Sequence, residues 1–286
     1  MTRFLTSFAG LVCPDGCPKR PPGLFISIEA RVGTPMMRTL VRLVVISFAA
    51  PLLMAQSKVS QSPTVDEILV RYEHAMGGKA EFEKVSTMVL RGTIEFPAHN
   101  LSGTTAEYFK APDHFLAVTE IPSYGTVRAV YDGRSAWTED PTQGVKEITG
   151  PALADMRRRA DIQWHVKLKE LYPGLKLKGR ESIAGKDAWV LEATQDQWKF
   201  SLCFDAATGL LVRFDTDTGE KDGNSKVFIG DYRPVDNIKF SYAATLSVGK
   251  PVWIRKLSEV KLNLPVDDAL FLKAAAGKLS FTSLEA

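Results

Sequence analysis

From residue 87 onward, apolar and polar residues alternate with a period of two in short stretches separated by turn-forming residues. That period belongs to strands buried on one face, because successive side chains leave an extended backbone on opposite sides. The stretches fall at residues 87–96, 104–109, 115–120, 126–131, 135–138 and 145–148, then at 175–183, 188–194, 198–204, 210–214, 226–232, 239–246 and 252–262. Several connections carry hairpin chemistry: Asp132-Gly133, Ala184-Gly185-Lys186-Asp187, Ala206-Ala207-Thr208-Gly209 and Val235-Asp236-Asn237. A run of antiparallel hairpins is expected.

Helical periods interrupt the strands. Thr64-Val65-Asp66-Glu67 has the form of a capping box, in which the first and last side chains satisfy free amides at a helix start. Val65, Ile68, Leu69, Tyr72 and Met76 follow at helical spacing, and Gly77-Gly78 supplies the stop. Residues 151–172 predict a second helix, with Leu153, Met156, Ala160, Trp164, Leu168 and Leu171 on one face and Pro173-Gly174 at its end. A short terminal helix is expected over residues 266–275, after Pro265.

Stretch 198–204 sets Trp198, Phe200, Leu202 and Phe204 against Lys199, Ser201 and Cys203. Leu210, Val212 and Phe214 continue the pattern, as do Phe240, Tyr242, Ala244 and Leu246. A sheet apolar on one side needs a cover, and the helices are few for so many strands. The fold class expected is mainly β (α+β), an incomplete antiparallel β-barrel of about 11 strands with helices covering an apolar concave face. The concave side is then either a hollow or a core filled by its own aromatics, and the pattern leaves both open.

The N-terminal part reads differently. Arg38 and Arg42 precede an apolar run from Leu43 to Leu53 that ends at Met54-Ala55. This is the layout of a secretory signal peptide, expected over residues 37–55, and the run is shorter than the about 20 residues a membrane span needs. Residues 1–36, with Cys13, Cys17 and the breaker-rich 18–23 stretch, are expected to be a disordered upstream extension, with the true start at Met36 or Met37. Residues 56–286 are expected to form one domain, secreted across the inner membrane and located in the periplasm. After cleavage it would keep one cysteine, Cys203, and so no internal disulfide, and nothing in it would span a membrane.

Residues 56–286 hold 30 Lys and Arg against 31 Asp and Glu, so the excess of basic residues belongs to the leader and no nucleic-acid surface is indicated. His74, His99, His114 and His165 show no metal-ligand spacing, and Asp215-Thr216-Asp217-Thr218-Gly219 lacks the register of a calcium loop, reading as a polar hairpin turn. No Gly-x-Ser-x-Gly elbow or phosphate-cradling loop is present. No catalytic residue, metal or cofactor is expected. Arg157-Arg158-Arg159 suits a solvated helix face first, and otherwise contact with anionic lipid headgroups or an acidic partner.

The segment Glu107-Tyr108-Phe109-Lys110-Ala111-Pro112-Asp113-His114-Phe115, followed by Val130 to Trp137 with Asp132-Gly133, resembles the LolA/LolB-like outer-membrane lipoprotein-sorting proteins. Lys110, Pro112, Phe115, Asp132, Gly133 and Trp137 carry the resemblance, and Asp205 to Leu210, Asp231 to Phe240 and Leu264 to Phe271 extend it. The resemblance implies an incomplete barrel with a helical lid over a hydrophobic cavity that holds lipid or lipoprotein acyl chains without chemistry. The family places an Arg before the Pro to help close the cavity, whereas this chain has Ala111 there. Lys110 points to the opposite face and cannot replace it.

The expected cavity lining is Phe109, Phe115, Trp137, Trp198, Phe200, Leu202, Phe204, Val212, Phe214, Phe240 and Tyr242. A monomer is expected, with an envelope protein as a possible partner. The rival reading is an envelope sensor or interaction module on the same fold with a filled core.

Overall fold

The computed structural model describes residues 62–221 and 223–273. The expected leader, residues 1–36 and 37–55, and the end of the expected terminal helix lie outside the described residues.

Helix α1 (Val65–Met76) starts on the capping box: Thr64 Oγ1 accepts from the Glu67 N–H at 3.2 Å, and the Thr64 N–H donates to the Glu67 carboxylate at 2.7 Å. Its buried side is Ile68, Tyr72 and Met76. The helix ends at Gly77, where φ is +124° and a Cβ would lie 2.2 Å from the Asn237 carbonyl oxygen. Only glycine meets both conditions. Helix α2 (Lys79–Phe82) follows and buries Phe82.

Every alternating stretch forms a strand, which makes 13 strands among the described residues rather than the about 11 expected. The first group is β1 (Thr87–Phe96), β2 (Leu101–Lys110), β3 (His114–Ile121), β4 (Gly125–Tyr131), β5 (Ala136–Asp140) and β6 (Gly144–Ile148). The second is β7 (Lys176–Ile183), β8 (Lys186–Gln195), β9 (Trp198–Asp205), β10 (Leu211–Asp217), β11 (Asn224–Val235), β12 (Ile238–Val248) and β13 (Lys250–Leu262). Each group is an antiparallel meander, and pairing of β1 with β13 joins them into one sheet whose edges are β6 and β7. The barrel is open between those edges.

The segment expected as one helix over residues 151–172 is instead α3 (Gly150–Ala160), a 3-10 turn at Trp164–Val166 and α4 (Leu168–Leu171). Asp161 is the breaking point: its backbone is extended, and its carboxylate accepts from the Gln163 N–H at 2.8 Å and from Lys167 Nζ at 3.0 Å. Such local bonding competes with a continuing helix. The terminal helix expected after Pro265 is a 3-10 turn, Asp268–Phe271, capped by Asp267.

These pieces cover the two wings of the concave face. Met156 and Ala160 of α3 pack on Ala117, Ala129, Tyr131 and Ile148 of β3–β6. Helices α1, α2 and α4, with Ile162 and Tyr172, pack on Leu191, Phe200, Leu202, Phe204, Phe214 and Phe240. On the convex side Phe271 joins Tyr108, Leu116, Val130 and Trp137 in a separate cluster, so the segment after β13 straps the back of the sheet. Lys110 holds that strap, donating to the Val266 carbonyl at 2.9 Å and pairing with Asp268 at 2.6 Å.

Candidate functional site

Between the covered wings the concave face leaves a cavity of about 330 Å³, within the range of small-molecule sites. Period-two geometry places Met88, Leu90 and Ile94 of β1 on its wall beside Phe109 of β2, and Val227 and Ile229 of β11 beside Phe240, Ala244 and Leu246 of β12. Trp164 and His165, from the 3-10 turn after α3, close it from the helical side.

Four of the expected residues, Phe109, Phe115, Trp198 and Phe240, line this cavity. Phe200, Leu202, Phe204, Phe214 and Tyr242 do face the concave side but belong to the packed core, where Phe200 and Leu202 are 0% exposed. Tyr172, Phe200 and Phe214 sit against one another with ring centroids 5.2–6.0 Å apart, so side chains fill that wing. Trp137 is on the convex face, its indole N–H donating to Glu139 at 2.9 Å. Val212 is displaced by a bulge: Leu211 pairs with Phe204 but Arg213 with Cys203, which turns Val212 onto the convex cluster with Ile183, Val190 and Cys203. The Trp198, Phe200, Leu202, Phe204 stripe otherwise keeps the expected face, opposite Cys203. Burial pushes the Cys203 thiol up to about 12, so it is a structural thiol.

The cavity also holds polar groups outside the expected list. Glu107 of β2 and Arg255 of β13 form an ion pair on its wall. At the helical side Arg159 Nε donates to Asp155 at 2.8 Å, Nη2 donates to Thr216 Oγ1 at 3.3 Å, and the guanidinium lies 4.9 Å from the Phe214 ring centroid. Arg158 turns inward too, 5.0 Å from the Phe200 centroid, and binds Asp196 at 2.7 Å. Two members of the arginine run therefore lie over aromatics, Arg158 half-buried and Arg159 exposed, and Arg157 is exposed as well. The signal for the wall pair was present, since Glu107 and Arg255 occupy positions where the alternation calls for apolar residues.

His165 lies with Nδ1 2.6 Å from Tyr72 Oη and its ring among Tyr72, Phe82 and Trp164. Burial lowers its pKa to about 4, which keeps the imidazole neutral near pH 7. The turn that follows β10 is polar, with Asp217 accepting from the Gly219 N–H at 2.9 Å. Among the described residues, no three His, Cys, Asp or Glu side chains are grouped to hold a metal ion, and no helix is long and apolar enough to cross a membrane.

No protein-family model matches the sequence, and no curated protein matches it. Solved structures do. A DUF1329 family protein from Desulfovibrio piger is similar with a TM-score of 0.52 at 16% identity, over 74% of this chain and 98% of that one. The likeness is one of fold. A LolA superfamily protein from Nitrosomonas europaea is similar with a TM-score of 0.49 at 17% identity, over 74% of this chain and 99% of that one.

Proposed function

We propose that the protein is a non-catalytic binding protein or carrier that holds lipid or lipoprotein acyl chains in the concave cavity, in the cell envelope. The observation that carries this reading is the cavity itself, a mainly apolar space left open between two tightly covered wings. Phe109, Phe115, Trp198 and Phe240 form the aromatic contacts for the chain, and β1 and β11 supply the aliphatic ones. Each methylene moved from water onto that wall contributes about 0.8 kcal/mol, so a partly inserted chain binds measurably. The sequence resemblance to lipoprotein-sorting proteins supports the same ligand class and an envelope location.

Nile red, an uncharged dye, is expected to bind the protein and to be displaced by acyl lipids. Ile229→Glu on β11 and Phe109→Lys on β2 are expected to abolish binding, because an unpaired charge there is costly to bury. Thermal unfolding of both variants checks that they fold. The filled aromatic wing favours a second reading, an interaction or sensor module. A folded protein that binds neither dye nor lipid would leave that reading standing.

A further inference from the structure

Each charged side chain on the cavity wall has a partner of opposite sign on the same wall. Glu107 pairs with Arg255 across β1, and Asp155 pairs with Arg159 along α3, with Arg158 Nη2 3.9 Å from the second Asp155 oxygen. The wall carries no net charge. The polar capacity left over on β13 is of one kind: Trp253 Nε1 and Arg255 Nε are buried with no hydrogen-bond partner among the described residues. They stand two residues apart, and their pairing with Leu246 and Ala244 puts both on the concave face. No hydroxyl of the wall meets either donor; Thr105 donates to the Val118 carbonyl at 3.3 Å and Ser241 to the Gly230 carbonyl at 2.9 Å.

Indole and guanidinium nitrogens only donate, so these two groups ask for an acceptor, and a buried donor left without one is costly. An ionised carboxylate would supply the acceptor but would also bring an uncompensated negative charge beside Glu107 in a low-dielectric site. An ester carbonyl supplies the acceptor without the charge. We propose that Trp253 and Arg255 form a subsite for the uncharged ester group of an acyl chain, so that the cavity selects ester-linked acyl lipids over free fatty acids. This rests on the acyl-binding reading above and names the chemistry at one end of that site.

Displacement of Nile red by monopalmitoylglycerol and by palmitate, at a pH where the acid is ionised, tests it. The monoglyceride is expected to displace the dye at about tenfold lower concentration, the effect of one hydrogen bond gained without a buried charge. Trp253→Phe keeps the ring and removes the donor, and should shrink that ratio, with circular dichroism checking the fold. Equal displacement, a preference for palmitate, or an unchanged ratio in Trp253→Phe would overturn the subsite while leaving acyl binding intact. Failure of the protein to bind the dye or either lipid would overturn both.

Discussion

His165 shows how one side chain ties the helical cover to pH. Its ring is packed among Tyr72, Phe82 and Trp164, and burial holds its pKa near 4 against an unfolded value of about 6.5. The unfolded chain therefore binds more protons between those values. Stability from the neutral ring is complete above the unfolded pKa and is lost as pH falls through the window, by up to about 3 kcal/mol. Urea unfolding followed across that range should show the decline, and His165→Phe should flatten it. The same slope in both proteins would contradict this role for the ring. Other single residues were legible in advance: the opposite facing of Lys110 follows from parity alone, and the structure gives it a strap to hold on the convex side. The Glu107–Arg255 pair was not read, because its partners lie 148 positions apart and alternation flags each only as an exception.

The elements were legible where local chemistry decides them. The capping box sets the first residue of α1, and Thr64→Ala should cost about 1 kcal/mol in chemical denaturation. An unchanged midpoint would mean that tertiary packing alone holds that helix end. The Asp132 and Asp205 turns are likewise built by their own side chains, Asp132 Oδ1 accepting from the Arg134 and Ser135 N–H groups and Asp205 Oδ1 from those of Ala207 and Thr208. Elements were misread where a local exception overrides the period. Asp161 splits the expected helix over 151–172, and the bulge between Leu211 and Arg213 moves Val212 to the other face. Neither break changes composition, so a count of apolar positions passes over both.

For the whole molecule, alternation tells which side of each strand is apolar but not which strand lies beside it. The junction of β1 with β13, which joins the two meanders and places Arg255 near Glu107, comes from long-range packing and twist. The same limit explains the aromatic candidates: the pattern put Phe200, Leu202, Phe204 and Phe214 on the correct side without telling a packed wing from an open centre. The proposed role requires this centre to hold an acyl chain. Native mass spectrometry of the protein isolated from the cells that make it decides whether it does. The predicted result is a bound mass that gentle activation releases as an acyl lipid, present on the unaltered protein and missing from Ile229→Glu. A folded protein that carries no such mass, or an equal mass on the variant, would rule out acyl binding in this cavity.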